Sequence, residues 1–214
     1  LPMAVGILMA TQQAPQCGDR EWALMGELAL DGAVRPVRGV LSAALAARAE
    51  GIRRLIVPRE NAVEAALVDD VAVYPVDSLG AAVRILETPA QCEPFTVDRE
   101  ELFRSAQDYD VDFADVRGQE HAKRAAEIAV AGGHNILMIG PPGSGKTMLA
   151  RRIATIMPDL TLEEAIATTR VHSIRGLLGP DQPLVATRPF RAPHHTISDA
   201  GLIGGGIGIE PGEV

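Results

Sequence analysis

The sequence predicts an α/β protein built as two successive parts. Short apolar runs alternate with Ala- and Leu-rich runs over residues 1–88, the pattern of strands and helices packed on one another. Further on, a Gly-rich octapeptide stands between an apolar run and an amphipathic one. Between the two parts the chain turns acidic and Pro-containing, with 8 acids against 3 bases over residues 89–118. The expected division is a first domain over 1–88, an acidic linker over 89–111 and a second, incomplete domain over 112–214.

The elements follow in order. Residues 1–10 are apolar throughout but lack a basic start and a cleavage site, so they are expected to form a core helix and not a leader. Residues 22–30 read as a strand bent at Gly26, and Asp31-Gly32 as a hairpin turn. Residues 40–49 form a helix closed by Gly51. Residues 53–57 form a short strand ended by Pro58. Residues 61–67 are helical, residues 71–76 are a strand, and Ser78 caps a helix running to residue 86. In the second part, 119–131 is an amphipathic helix stopped by Gly132-Gly133. Residues 135–139 read as a buried strand and 148–157 as a helix. Thr161 opens another helix with Glu163 and Glu164 in its first turn, where acids suit the dipole. From Ser173 onward, Gly, Pro and Arg dominate, and loops or a hairpin insertion are expected.

Composition narrows the function. Hydrophobic residues make up 47% of the 214 and aromatics 3%, so the cores must be built from Ala, Val, Leu and Ile. The net charge of −8 argues against a surface coated for nucleic acid. Residues 1–88 carry 11 acids and 8 bases, and residues 119–214 carry nine of each, so the loop-bearing part is neutral. Cys17 and Cys92 lie far apart with no companion ligands and read as free thiols in a reducing compartment. No apolar run approaches the roughly 20 residues of a membrane span. A cytoplasmic protein with no membrane partner is expected.

The octapeptide Gly140-Pro141-Pro142-Gly143-Ser144-Gly145-Lys146-Thr147 fits G-x-x-x-x-G-K-[ST] at every fixed position. Its glycines let consecutive N–H groups turn toward one phosphate, and the start of the following helix adds a favourable dipole. Lys146 is expected to reach the β- and γ-phosphates of ATP or ADP, and Thr147 to hold Mg²⁺. Met148 completes the expected nucleotide-binding set. An ATPase of this kind also needs a strand of four apolar residues ending in an acid. None lies between Thr147 and Val214, and the acidic run at 65–70 belongs to the first part and reads as helical. No catalytic residue is therefore expected here, and the chain, which opens on Leu1, reads as a piece of a longer protein. Ser42 has no His or Lys anywhere in 1–88 to serve as its base. His194-His195 lacks the third ligand a metal pair needs, and Arg151-Arg152 reads as a solvated helix face.

Val116-Arg117-Gly118-Gln119 resembles the segment that covers the adenine ring in AAA+ ATPases, and His121-Ala122-Lys123-Arg124-Ala125 continues its helix. Phe190-Arg191-Ala192-Pro193-His194-His195-Thr196-Ile197-Ser198, Gly204-Gly205-Gly206 and Pro211-Gly212-Glu213-Val214 resemble the ComM (YifB-like) group of the magnesium-chelatase-like branch. The resemblance implies adenine contacts at Val116, Gly118 and Gln119. It also implies a homo-hexamer, and either a DNA helicase or translocase for branch migration or a protein-remodelling ATPase; nucleotide binding without turnover by these residues is a third alternative. Its arginine finger and sensor residues would lie beyond Val214. In the first part, Gly26-Glu27-Leu28-Ala29-Leu30, Gly32, Arg35-Pro36-Val37, Gly51, Leu55-Ile56-Val57-Pro58 and Asn61 resemble the Lon-protease domain, a ribosomal S5 domain 2-like fold. That resemblance puts Met3 at the serine position and Leu41 at the lysine position. It therefore implies a partial Lon-like fold without peptidase activity, followed by the N-terminal part of an AAA+ P-loop NTPase domain.

Overall fold

The structure is a computed structural model that describes residues 1–17, 21–179, 182–205 and 210–213. It divides into two compact units, one of Leu1–Leu102 with Ile166–Leu184 and the other of Phe103–Ala165 with Val185–Val214.

The first unit runs α1 (Pro2–Ala10), β1 (Trp22–Leu24), β2 (Glu27–Leu28), β3 (Val34–Arg35), α2 (Val40–Ala49), β4 (Arg54–Pro58), α3 (Ala62–Ala65), β5 (Ala72–Val76), α4 (Leu79–Glu87) and α5 (Arg99–Ser105). Strands β1, β4 and β5 form a parallel sheet in the order β1-β4-β5, with Ala23 opposite Leu55 and Leu55 opposite Val73. The central strand β4 explains its own sequence. Leu55, Ile56 and Val57 are all 0% exposed, so a strand covered on both faces reads as an unbroken apolar run. Pro58 closes β4 as its last residue, where a missing N–H costs the ladder little.

The β2–β3 hairpin turns at Asp31-Gly32, with Asp31 Oδ1 accepting the Ala33 N–H at 3.0 Å. At Gly26, φ is +142°, and a Cβ would stand 2.8 Å from Val34 Cγ1, so both backbone and space demand glycine. Ser78 caps α4 by accepting the Ala81 N–H at 3.2 Å.

One expectation for this unit needs correction. Helix α1 forms, but only Val5 of its residues is buried, while Met3 and Ile7 are 84% and 63% exposed. Uniform apolarity could not tell which face would find cover. Residues 89–111 are also more than a bare linker. The Phe95 N–H donates to the Val73 carbonyl at 2.8 Å on the edge of β5, and Arg99 pairs with Asp69 at 2.6 Å. Residues 166–184 pack with the first unit.

The second unit opens on a reciprocal cap. Asp112 accepts the Ala114 N–H at 2.8 Å, and Asp115 accepts the Asp112 N–H at 3.2 Å. Helix α6 (Glu120–Gly132) ends on Gly133 at φ +61°. Helix α7 (Lys146–Ile153) follows the Gly-rich loop. Helix α8 (Leu162–Arg175) begins at Thr161, which exchanges hydrogen bonds with Glu164. The Thr161 N–H first, and its hydroxyl second, donate to Glu164 Oε2 and hold that carboxyl below its ordinary value. A short helix, α9 (Asp199–Ile203), precedes a small antiparallel ladder of β6 (Gly204–Gly205) and β7 (Glu210–Pro211). Gly206 and Val214, quoted in the resemblance above, lie outside the described residues.

The expected buried strand at 135–139 is the main departure in this unit. These residues have no strand pairing, and Leu137 and Ile139 are 84% and 88% exposed. A strand exists only through a neighbour that accepts and donates its ladder bonds, and no described residue lies beside this one in a ladder. Phe113, Val116, Ala126 and Leu149 form one buried core cluster of the unit.

Candidate nucleotide site

The loop wraps around its own lysine. Lys146 Nζ donates to the carbonyl oxygens of Gly140 and Pro141, both at 2.8 Å, and to Ser144 Oγ at 3.2 Å. Gly145, at φ +86°, turns the chain into α7. A Cβ there would stand 3.1 Å from Gln119 Nε2, so the position is tight as well as left-handed. Leu149 donates the first intrahelical bond, to the Gly145 carbonyl at 2.9 Å, and no side chain caps the helix. The N–H groups of its first turn therefore have no intrahelical acceptor. A half-buried cation on loop carbonyls beside an uncapped helix start is the donor set an anionic phosphate requires, so the residues present fit a nucleotide.

Gln119 ties α6 to this loop. It sits at φ +56° as the cap residue of α6, and its Nε2 donates to the Ser144 carbonyl at 3.2 Å. Between α6 and the loop lies a cleft of about 370 Å³. Of the expected site residues, Gln119, Gly140, Pro141, Ser144 and Lys146 line it. Pro142 and Gly143 are exposed on the loop itself, Thr147 is exposed in the first turn of α7, Gly145 is half-buried at the helix cap, and Met148 packs against the core. Gly118 is exposed at φ +64°. Val116 is 2% exposed and packs in the core of the unit, so its side chain is not on the cleft wall.

The sequence reading missed Ala122, Ala125 and Ala126, which make the α6 wall of the cleft. Their three small side chains on one side of an otherwise charged helix were the available signal. It also misread Arg152. That side chain is 18% exposed and donates to the Asp112 carbonyl at 3.0 Å and to Asp115 Oδ2 at 3.4 Å, which fixes residues 112–116 against α7. Long side chains reach across elements in ways helix spacing does not show.

His194 and His195 are exposed, with ring centroids 4.2 Å apart, and Thr196 Oγ1 lies 2.7 Å from His194 Nδ1. No group of three or more His, Cys, Asp or Glu able to hold a metal occurs among the described residues. Cys17 and Cys92 are free and half-buried, and burial pushes the Cys17 thiol up. No described helix is long and apolar enough to cross a membrane. Met3 and Leu41 both occupy the second position of a helix, but Met3 is open to solvent while Leu41 is fully buried.

A mixed α/β chain with a parallel sheet, and a Gly-rich loop leading into a helix, places this protein in the class of P-loop-like α/β proteins. Residues 112–214 match the family described as magnesium chelatase, subunit ChlI, and residues 1–61 match that described as subunit ChlI of Mg-chelatase. An uncharacterized protein of Mycobacterium tuberculosis is 43% identical over 215 residues, and the competence protein ComM of Haemophilus influenzae 41% identical over 216. Each alignment covers 100% of this chain and 42% of the relative. Lon protease 1 of Thermus thermophilus is 34% identical over 92 residues, covering 39% of this chain and 12% of the relative. The chain belongs to the magnesium-chelatase-like family, in its ComM group. It spans about two fifths of the length of the curated relatives it matches along its whole length.

Proposed function

We propose that this chain carries the ATP-binding part of an AAA+ ATPase, with ATP or ADP and Mg²⁺ held at residues 140–148 and next to 116–119. The uncapped start of α7 beneath a loop folded around Lys146 is the observation that carries this reading. Mg²⁺ would supply charge neutralisation across the phosphates. Lys146 would exchange the two loop carbonyls for phosphate oxygens, the first-turn N–H groups would bind the same anion, and Thr147 would contribute its hydroxyl to the metal. In the longer protein the unit would act in a homo-hexamer that moves along DNA in branch migration. That reading draws on the resemblance of residues 190–198 and 211–214; one relative is named competence protein ComM. The Lon-like part would be a folded but non-proteolytic attachment, since Met3 and Leu41 supply neither nucleophile nor base.

Lys146→Ala tests the site. It removes a charge-assisted bond worth roughly 1.5–3 kcal/mol, so affinity for Mg-ATP should fall about 10- to 150-fold by calorimetry. Equal affinities in the two proteins would reject the site. A second reading is a protein-remodelling ATPase like the ATPase subunit of magnesium chelatase, whose family residues 112–214 match. Stimulation of the full-length ATPase by branched DNA and not by unfolded protein would decide for the first.

A further inference from the structure

The part of α8 that packs in the first unit buries the wrong kind of residue for a core helix. Thr169 and Ser173, four apart, are 0% and 3% exposed, while Val171 and Ile174 stand 43% and 42% exposed. Among the described residues of 166–184, Leu184 is the one large apolar side chain that is buried. The attachment is polar instead. Ser173 Oγ donates to Glu64 Oε1 and accepts the Gly39 N–H at 3.0 Å. Glu64, itself 7% exposed, also accepts the Leu41 N–H at 2.9 Å and Asn61 Nδ2 at 3.3 Å. Beside this network lies a cavity of about 410 Å³, lined by Arg38, Asn61, Glu64 and Ser173 among others.

We infer that residues 166–184 are a strap, latched to the first unit by Ser173 between Glu64 and Gly39, that lifts while the β1-β4-β5 sheet stays folded. Three features of the network support it. The sheet is held by Leu55, Ile56, Val57, Val73 and Val76, all 0% exposed, so its opening removes far more apolar area from cover than the strap's does. When Ser173 leaves, Glu64 keeps its bonds to Leu41 and Asn61, and the adjoining cavity admits water to the freed oxygen. The carboxylate is then hydrated and not orphaned, which removes the usual penalty for breaking a buried charged contact. Asn61 stays fixed as well, because its amide exchanges two bonds with Val37, each at 3.0 Å. Among the bonds described, lifting breaks those of Ser173 to Glu64 and Gly39 and the one that Arg170 Nε donates to Ser42 Oγ at 3.3 Å, and it opens the Arg38–Asn61–Glu64 wall to solvent.

Hydrogen exchange on the full-length protein tests the strap. In the wild type, amides of 167–177 should lose protection at lower urea, and with a shallower urea dependence, than those of β4 and β5. In Ser173→Ala, exchange in 167–177 should quicken roughly ten- to hundred-fold with the sheet unchanged. The strap is overturned if wild-type 167–177 opens only together with the sheet. It is equally overturned if Ser173→Ala speeds both alike or leaves both unchanged. The wild-type urea series stands even if the variant folds poorly.

Discussion

Leu55 and Ile139 sit in apolar runs that read alike in the sequence, yet the structure treats them oppositely. Leu55 is 0% exposed in the middle strand of a three-stranded sheet, whereas Ile139 is 88% exposed in a segment with no ladder. The first run meets β1 and β5 on its two sides within the same unit. The second leads directly into the phosphate loop. The contrast shows that apolarity specifies a wish for cover, and partners elsewhere in the chain decide whether it is met. It also shows that the loop does not depend on that ladder for its local form. Lys146, Gly145 and Gln119 hold it through contacts of their own.

Truncation should separate the two positions most widely. Leu55→Ala should destabilise the first unit by about 2–5 kcal/mol, and Ile139→Ala should change stability by less than about 0.5 kcal/mol. Urea unfolding measures both, and similar costs would erase the distinction. A smaller effect belongs to the loop. Gly145→Ala forces a Cβ into a left-handed position beside Gln119, at a cost of about 1–2 kcal/mol. Mg-ATP affinity should drop by about 5- to 30-fold while the urea midpoint of the first unit stays put. A parallel fall in that midpoint would show that the units are not independent in this respect.

Ser78→Ala probes ordinary capping in the first unit. It should cost about 1 kcal/mol, since the Ala81 N–H loses its acceptor. The smallest effect should come from Asp77. The side-chain hydrogen bond from Arg59, 2.8 Å to each oxygen, holds its carboxyl below the usual range. A lowered folded-state value adds stability above the ordinary carboxylate range, and that stability is lost as pH falls through the lowered value. Both side chains are more than half exposed, so salt screens the pair. Asp77→Asn should flatten the acid limb of the stability curve slightly and leave it unchanged in high salt. A large change at neutral pH and high salt would contradict this.

What the sequence disclosed was local. The bend at Gly26, the turn at Asp31-Gly32, the caps at Ser78 and Thr161, the stop at Gly133 and the octapeptide all depend on residues within a few positions of one another. What it concealed was nonlocal. The cover of α1, the docking of Phe95 on β5, the reach of Arg152 to Asp112 and the capture of Ser173 by Glu64 join residues far apart in the chain. No spacing rule encodes those meetings. The cleft falls between the two cases. Its loop is written contiguously, but its alanine wall becomes visible only when α6 is set beside it.

The bare stretch around Leu137 and Ile139 also has a colloidal consequence. An exposed apolar segment outside any ladder among the described residues is a template for any similar segment that diffuses past. Two such molecules could satisfy each other edge to edge, so self-association of these 214 residues should grow with concentration and be slowed by charge at the seam. Ile139→Lys would act as a gatekeeper there, keeping solutions clear by light scattering at concentrations where the parent sequence clouds.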